Sequence, residues 1–152
     1  DPHTVAMLES GRTPCGELYA VMELINGETL SSRLKRFRER NRPLHTAEVI
    51  KVAISVLKSL AEAHGLGMVH RDIKPSNIVF HQVHKDEVVK LIDFGLVRVQ
   101  GSDITRPGIT MGTPSYMSPE LASGLPVDAR SDLYALGCVL YECIHGQGPA
   151  IG

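Results

Sequence analysis

The chain has little of what marks the more specialised protein classes. Of its 152 residues only three are cysteines, Cys15, Cys138 and Cys143. An odd count supplies no disulfide framework, and the spacing fits no zinc pattern. No apolar run reaches the ~18 residues that a membrane-spanning helix needs. Neither sign of charge dominates, because 16 Lys and Arg against 17 Asp and Glu leave a net charge of −1. That balance excludes a bulk electrostatic pull toward nucleic acid or an anionic membrane surface. There is no internal repeat and no low-complexity segment, and Asp1-Pro2-His3 does not open a signal peptide. What remains is the composition of an ordinary soluble globular chain, 43% hydrophobic and 22% charged. Its length suggests one domain at most.

The pattern along the chain is mixed. Residues 4–9 read as a strand, Ser10-Gly11 through Cys15-Gly16 as turn chemistry, and Leu18 to Ile25 as a second strand, so that 4–25 forms a hairpin broken by Asn26-Gly27. Leu30, Leu34 and Phe37 fall at helical spacing in a basic stretch and predict a short surface helix ending near Asn41-Arg42-Pro43. Thr46 is placed to cap the next helix, with Glu48 in its first turn. There Ile50, Ala53, Ile54, Leu57, Leu60, Ala61 and His64 predict the apolar face, and Gly65 the stop. Residues 96–127 are rich in glycine and proline and read as mostly irregular, a length of connection that is usually functional. The last element, Arg130 to His145, is apolar nearly all round and is expected to be buried, with Cys138 and Cys143 as buried thiols; Gly146 ends it.

One stretch concentrates polar chemistry, His70-Arg71-Asp72-Ile73-Lys74-Pro75-Ser76-Asn77. Pro75 lacks an N–H and pushes Lys74 toward an extended conformation, so the stretch reads as a loop and not a helix. It lies between the apolar anchors Met68-Val69 and Ile78-Val79-Phe80, as sites often do. Ile78–Gln82 and Val88–Ile92 read as strands joined by Val83 to Glu87. An antiparallel return brings Asp93 back beside Asn77, although they are sixteen positions apart. Two oxygen ligands at the mouth of a hairpin suit Mg²⁺. Taken alone, Asp72 and Asn77 also read as turn residues that satisfy their own backbone.

Three segments in order carry a resemblance. His70-Arg71-Asp72 with Asn77 is similar to the protein-kinase catalytic loop, and Lys74 gives it the serine/threonine form; Asp93-Phe94-Gly95 is similar to the D-F-G motif. Gly112-Thr113-Pro114-Ser115-Tyr116-Met117-Ser118-Pro119-Glu120 resembles the end of an activation segment, with Ser118 where the family usually has alanine. The resemblance implies an α+β, protein-kinase-like fold: the end of the small lobe, hairpin and hinge, over residues 1–25, and an incomplete, mainly helical large lobe over 26–152. It implies a cytoplasmic enzyme that transfers the γ-phosphate of ATP, with Mg²⁺, to serine or threonine hydroxyls of proteins, and needs no nucleic acid and no membrane segment in this stretch.

The same resemblance assigns roles. Asp72 orients the substrate hydroxyl and accepts its proton, Lys74 stabilises the transferring phosphate, and Asn77 and Asp93 hold Mg²⁺. His70 is a buried spacer against Phe94, with Gly95 completing the motif. Thr113 contacts Asp72 and Lys74, and Glu120 pairs with an arginine further along the family's domain. Asp132 accepts backbone N–H groups from the catalytic loop; its local alternative is a first-turn acid favoured by the helix dipole. Met22 is the gatekeeper, the backbones of Glu23 and Ile25 bond adenine, Val79 packs under the base, and Glu28 extends toward the ribose. Arg71 and Arg98 suggest a pocket for a phosphate on Thr105 or Thr110, with Ser102 behind them; the local alternative for Arg98 is a solvated strand-end charge.

Residues 1–152 hold no glycine-rich loop, no phosphate-binding lysine and no glutamate to pair with it; Gly11 and Gly16 do not make G-x-G-x-x-G. The expectation is the middle of a kinase domain, closest in phrasing to bacterial serine/threonine kinases and inactive as this fragment alone. Two other readings share the fold. A nucleotide-binding pseudokinase is disfavoured by the intact Asp72, Lys74, Asn77 and Asp93. A small-molecule phosphotransferase is disfavoured by Lys74, the D-F-G motif and the Gly112–Glu120 segment.

Overall fold

A computed structural model describes residues 1–94 and 114–149. The described residues form two small antiparallel sheets and four α-helices, and the second sheet packs against the first two helices. The first sheet is a hairpin of β1 (Met7–Arg12) and β2 (Leu18–Met22). The second has the order β3 (Gly27–Thr29), β4 (Ile78–Val83), β5 (Asp86–Leu91). The helices are α1 (Leu30–Glu39), α2 (Thr46–Gly65), the single turn α3 (Pro119–Ala122) and α4 (Ala129–His145). The α+β class follows.

The first hairpin differs from the sequence reading in register. Thr4 forms a parallel bridge with Leu91 of β5 instead of opening a strand at residue 4. Gly11 belongs to β1 and not to the turn. It lies opposite Tyr19, and a Cβ there would meet the Tyr19 hydroxyl at 2.7 Å and its ring at 2.8 Å. Its lack of a side chain makes room for the ring, a second use of glycine that sequence alone does not separate from turn formation. The turn itself is Thr13–Glu17, closed by Thr13 N–H to Glu17 O at 2.8 Å, with Gly16 at φ 88°.

Gly27 also does more than break a strand. It opens β3, where an added Cβ would stand 1.9 Å from Phe80 O, so only glycine lets the two backbones pair there. Thr29 then caps α1, its hydroxyl accepting from Ser32 N–H at 3.1 Å. Leu30 and Leu34 are buried and Phe37 packs on the core, the face that the spacing predicts.

Helix α2 departs from expectation at its cap and its face. His45, not Thr46, is the N-cap, with Nδ1 accepting from Ala47 N–H at 3.3 Å. The buried side is Val49, Val52, Ser55, Val56, Ser59, Leu60 and Ala63. Ile50, Ile54 and Leu57, placed inside by the sequence reading, are 53%, 50% and 43% exposed. Both series repeat at helical spacing. The buried one is disguised by Ser55 and Ser59, whose small side chains allow close packing; the Ser59 hydroxyl bonds Thr4 Oγ1 at 2.8 Å.

Helix α4 is capped by Asp128, which accepts from Arg130 N–H at 2.9 Å, and stops at Gly146 with φ 77°. It is not buried all round: Leu133, Tyr134, Tyr141 and Ile144 are exposed among the described residues. Cys138 and Cys143 are buried, and burial pushes the Cys143 thiol up to about 12. The core joins α1, α2, α4 and the second sheet through Leu30, Val52, Val56, Leu60, Ile78, Phe80, Val89, Leu91 and Val139. Each such side chain contributes roughly 1.5–3 kcal/mol on burial.

A charged clasp closes the edge of this core. Arg33 is 7% exposed and stacks 3.5 Å over the Phe80 ring. It donates to Glu28 at 2.7 Å, Glu48 at 2.9 Å and Glu87 at 2.6 Å, so one guanidinium ties β3, α2 and β5 to α1. Its hydrogen bond holds the Glu87 carboxyl below the usual carboxylate range.

Candidate active site

The polar stretch 70–77 is held at both ends. Beneath it lies Asp132, 1% exposed in the first turn of α4. Its Oδ2 accepts from His70 N–H at 2.9 Å and its Oδ1 from Arg71 N–H at 2.8 Å. The Oδ2 also lies 2.7 Å from His64 Nε2. Arg71 sits at φ 66°, a left-handed conformation uncommon outside glycine. Such backbone persists when its surroundings over-determine it, and two anchored consecutive N–H groups supply that constraint.

His70 is 1% exposed and uses both ring nitrogens on the backbone. Nδ1 accepts from Asp72 N–H at 3.3 Å, which leaves Nε2–H to donate to Ile92 O at 3.0 Å. Burial lowers its pKa. A neutral imidazole with both nitrogens engaged is a spacer, not a base. Its ring centroid stands 4.7 Å from that of Phe94.

Lys74 is extended, at φ −158° and ψ 162°. Pro75 then starts a single 3₁₀ turn, Pro75–Asn77, where the sequence reading has only loop. Proline at a first helical position lacks only an N–H that would be unpaired anyway. The turn brings three functional groups together. Asp72 Oδ2 accepts from Lys74 Nζ at 2.7 Å and from Asn77 Nδ2 at 3.0 Å, and Asn77 Nδ2 also donates to Asp72 O at 2.8 Å. Asp72 is 45% exposed on its side chain, open to an incoming group.

The hairpin of β4 and β5 turns on two residues, His84 and Lys85, tighter than the expected five. His84 takes φ 56°, a region in which histidine is enriched among non-glycine residues. The return delivers Ile92 N–H to Asn77 O at 2.9 Å, which sets Asp93 next to Asn77. Asp93 leaves the strand at φ 60°. Among the described residues no donor is paired with Asn77 Oδ1, and no group of three or more His, Cys, Asp or Glu is arranged to hold a metal. One amide oxygen and one carboxylate fit a hard cation that keeps its waters and binds through a nucleotide's phosphates, the habit of Mg²⁺.

Met22 and Phe94 line one cavity of about 390 Å³ together with Met68 and Ala63. Glu23 N–H donates to Ala6 O at 3.0 Å, while the backbone of Ile25 makes no hydrogen bond to the described residues. Val79 is buried and pairs with Thr29 on one side and Lys90 on the other. Glu28, assigned toward the ribose, is engaged by arginines. Its carboxylate is held by Arg33 at 2.7 Å and Arg36 at 2.8 Å. Glu120 accepts a hydrogen bond from the Ser131 hydroxyl, joining α3 to the start of α4, and this bond keeps its carboxyl below the usual range. Gly95, Arg98, Ser102, Thr105, Thr110 and Thr113 lie outside the described residues.

Sequence reasoning missed several supports. The sequence reading assigns His64 to an apolar face, yet it meets Asp132; a histidine five turns along that face, in the last turn of the helix, is the signal. Glu142 is buried between the Tyr116 hydroxyl, which donates to it, and Arg38 at 3.3 Å. Burial, then that carboxylate, raises the Tyr116 pKa. Helix α3 could have been read from Ser118-Pro119-Glu120, an N-cap, an N1 proline and a first-turn acid.

The comparison with known proteins agrees with this geometry. The model of the protein kinase domain family matches residues 2–151. The chain is 38% identical over 154 residues to the serine/threonine-protein kinase pkn3 of Myxococcus xanthus, covering 97% of this chain and 27% of that protein. It is 40% identical over 157 residues to the serine/threonine-protein kinase PknB of Mycolicibacterium smegmatis, covering 99% of this chain and 24% of the relative. The crystal structure of the Mycobacterium tuberculosis PknI kinase domain superposes with a TM-score of 0.77 at 29% identity, over 99% of this chain and 53% of that one. The chain belongs to the protein kinase domain family. It spans about a quarter of the length of these curated relatives and about half of the solved kinase domain. The family as a whole uses ATP and a divalent metal.

Proposed function

We propose that the protein containing these residues is a serine/threonine protein kinase, transferring the γ-phosphate of ATP to hydroxyls of protein substrates. The observation that carries this reading is the single cluster of Asp72, Lys74 and Asn77, with Asp93 returned beside it by the β4–β5 hairpin. Residues 1–25 would belong to the small lobe and hinge, and the rest to the large lobe.

In this reading Asp72 orients the acceptor hydroxyl and takes its proton as the new P–O bond forms and the bond from the γ-phosphorus to the departing ADP oxygen breaks. Lys74, 2.7 Å from the Asp72 carboxylate, is near enough to share its charge with the transferring phosphoryl group. Asn77 and Asp93 would hold Mg²⁺, which neutralises the nucleotide's phosphates when bound. Met22 and Val79 would line the adenine site, and the Glu23 carbonyl and Ile25 N–H would bond its edge. His70 links the two halves mechanically, since it bonds the backbone at both Asp72 and Ile92.

Asp93→Ala tests the metal assignment. In the full-length protein it should weaken ATP binding at least about tenfold in Mg²⁺ and leave the metal-free affinity nearly unchanged, a loss of roughly 1.4 kcal/mol or more. A calorimetric titration with and without Mg²⁺ reads this directly. Equal affinities for wild type and variant in Mg²⁺ would remove Asp93 from the site.

A further inference from the structure

Lys90 is the one lysine buried among the described residues, 8% exposed in β5 and three positions before Asp93. A buried ammonium is costly unless paired. Its Nζ donates to Glu23 Oε1 at 2.6 Å and to Thr4 O at 3.3 Å. The same Glu23 oxygen accepts from Ala6 N–H at 2.8 Å, and the hydrogen bond from Lys90 is the main reason its carboxyl sits below the usual range. Glu23 follows the last residue of β2.

The register gives this pair a particular place. Lys90 is directly opposite Val79, and opposed residues in an antiparallel pair share a face. Lys90 therefore rises beside the residue assigned to the floor of the adenine site. It ends on the side chain of the residue whose carbonyl is assigned to the base edge. Such a partly buried ion pair adds little stability over an apolar pair of the same shape, but its geometry is demanding.

We propose that Lys90 is a positioning residue for the nucleotide. Through Glu23 it fixes the hinge backbone at a set height over Val79, so that Met22 to Ile25 present their backbone groups to adenine in register with the floor. The proposal rests on the reading of residues 22–25 as the hinge. Lys90 itself touches no reacting atom.

Lys90→Met in the full-length protein, with measured ATP KM, kcat and direct ATP·Mg²⁺ affinity, is the test. The expected result is a rise in KM and Kd for ATP of about tenfold with kcat at saturating ATP kept within about twofold. Glu23→Gln should act in the same direction. The double variant should be no worse than Lys90→Met, because both changes remove one interaction. A general loss of structure would instead lower the active fraction and kcat. If Lys90→Met does not fold, Glu23→Gln alone decides, with a raised KM at preserved kcat supporting the proposal. Unchanged ATP KM in the folded variants, or additive effects in the double, would overturn it. Failure of the wild-type protein to bind ATP at all would reject the hinge reading beneath it.

Discussion

Replacing Asp72 with asparagine should lower kcat by about 10²- to 10⁴-fold in the full-length protein, the range that a positioned proton acceptor supplies. Nucleotide affinity should change by less than about twofold. The separation follows from geometry. The Asp72 carboxylate is half-exposed and, among the described residues, bonds Lys74 and Asn77, while its backbone oxygen, which also receives Asn77 Nδ2 at 2.8 Å, is untouched. Asparagine keeps the shape but cannot take a proton, and it leaves Lys74 without its counter-charge. Single-turnover phosphoryl transfer alongside equilibrium ATP binding measures both arms. Turnover near the wild-type rate would strip Asp72 of its role.

The second large effect is on stability. Asp132→Ala should destabilise the fold by roughly 3–5 kcal/mol, the cost of removing one partner from a buried charged network. It orphans His70 N–H and Arg71 N–H, whose present partners are the two carboxylate oxygens at 2.9 Å and 2.8 Å, and it leaves His64 Nε2 facing a cavity. Arg71 then loses the Asp132 anchor that helps to hold its left-handed backbone. Asp132→Asn should lie between, because its amide offers one acceptor where the carboxylate offers two. Thermal unfolding of the full-length variants should show a fall on the order of 10 °C for the alanine change. A melting temperature within a degree or two of wild type would mean that the loop does not depend on this carboxylate.

What the sequence made legible was local or linear. Asp72, Lys74 and Asn77 lie within six residues, and the apolar runs after Asn77 and before Asp93 predict a hairpin that joins them whatever its exact turn. Gly146 likewise acts at the end of its own helix. The readings that failed needed tertiary information. Which of two helical stripes in α2 turns inward depends on what lies against it, and Ser55 and Ser59 hide the answer. Gly11 and Gly27 are fixed by Tyr19 and Phe80 across a strand pair, not by a turn. The Arg33 clasp gathers Glu28, Glu48 and Glu87 from three elements, and Lys90 finds Glu23 across 67 positions. No spacing rule connects those residues.

The most direct measurement is phosphoryl transfer itself. The full-length protein, given ATP labelled at the γ-phosphate, Mg²⁺ and a protein acceptor, should incorporate label, and hydrolysis of the product should release phosphoserine or phosphothreonine. Label confined to phosphotyrosine would contradict the serine/threonine reading drawn from Lys74. No incorporation by a protein that binds ATP would contradict the claim that Asp72, Lys74, Asn77 and Asp93 form a working site.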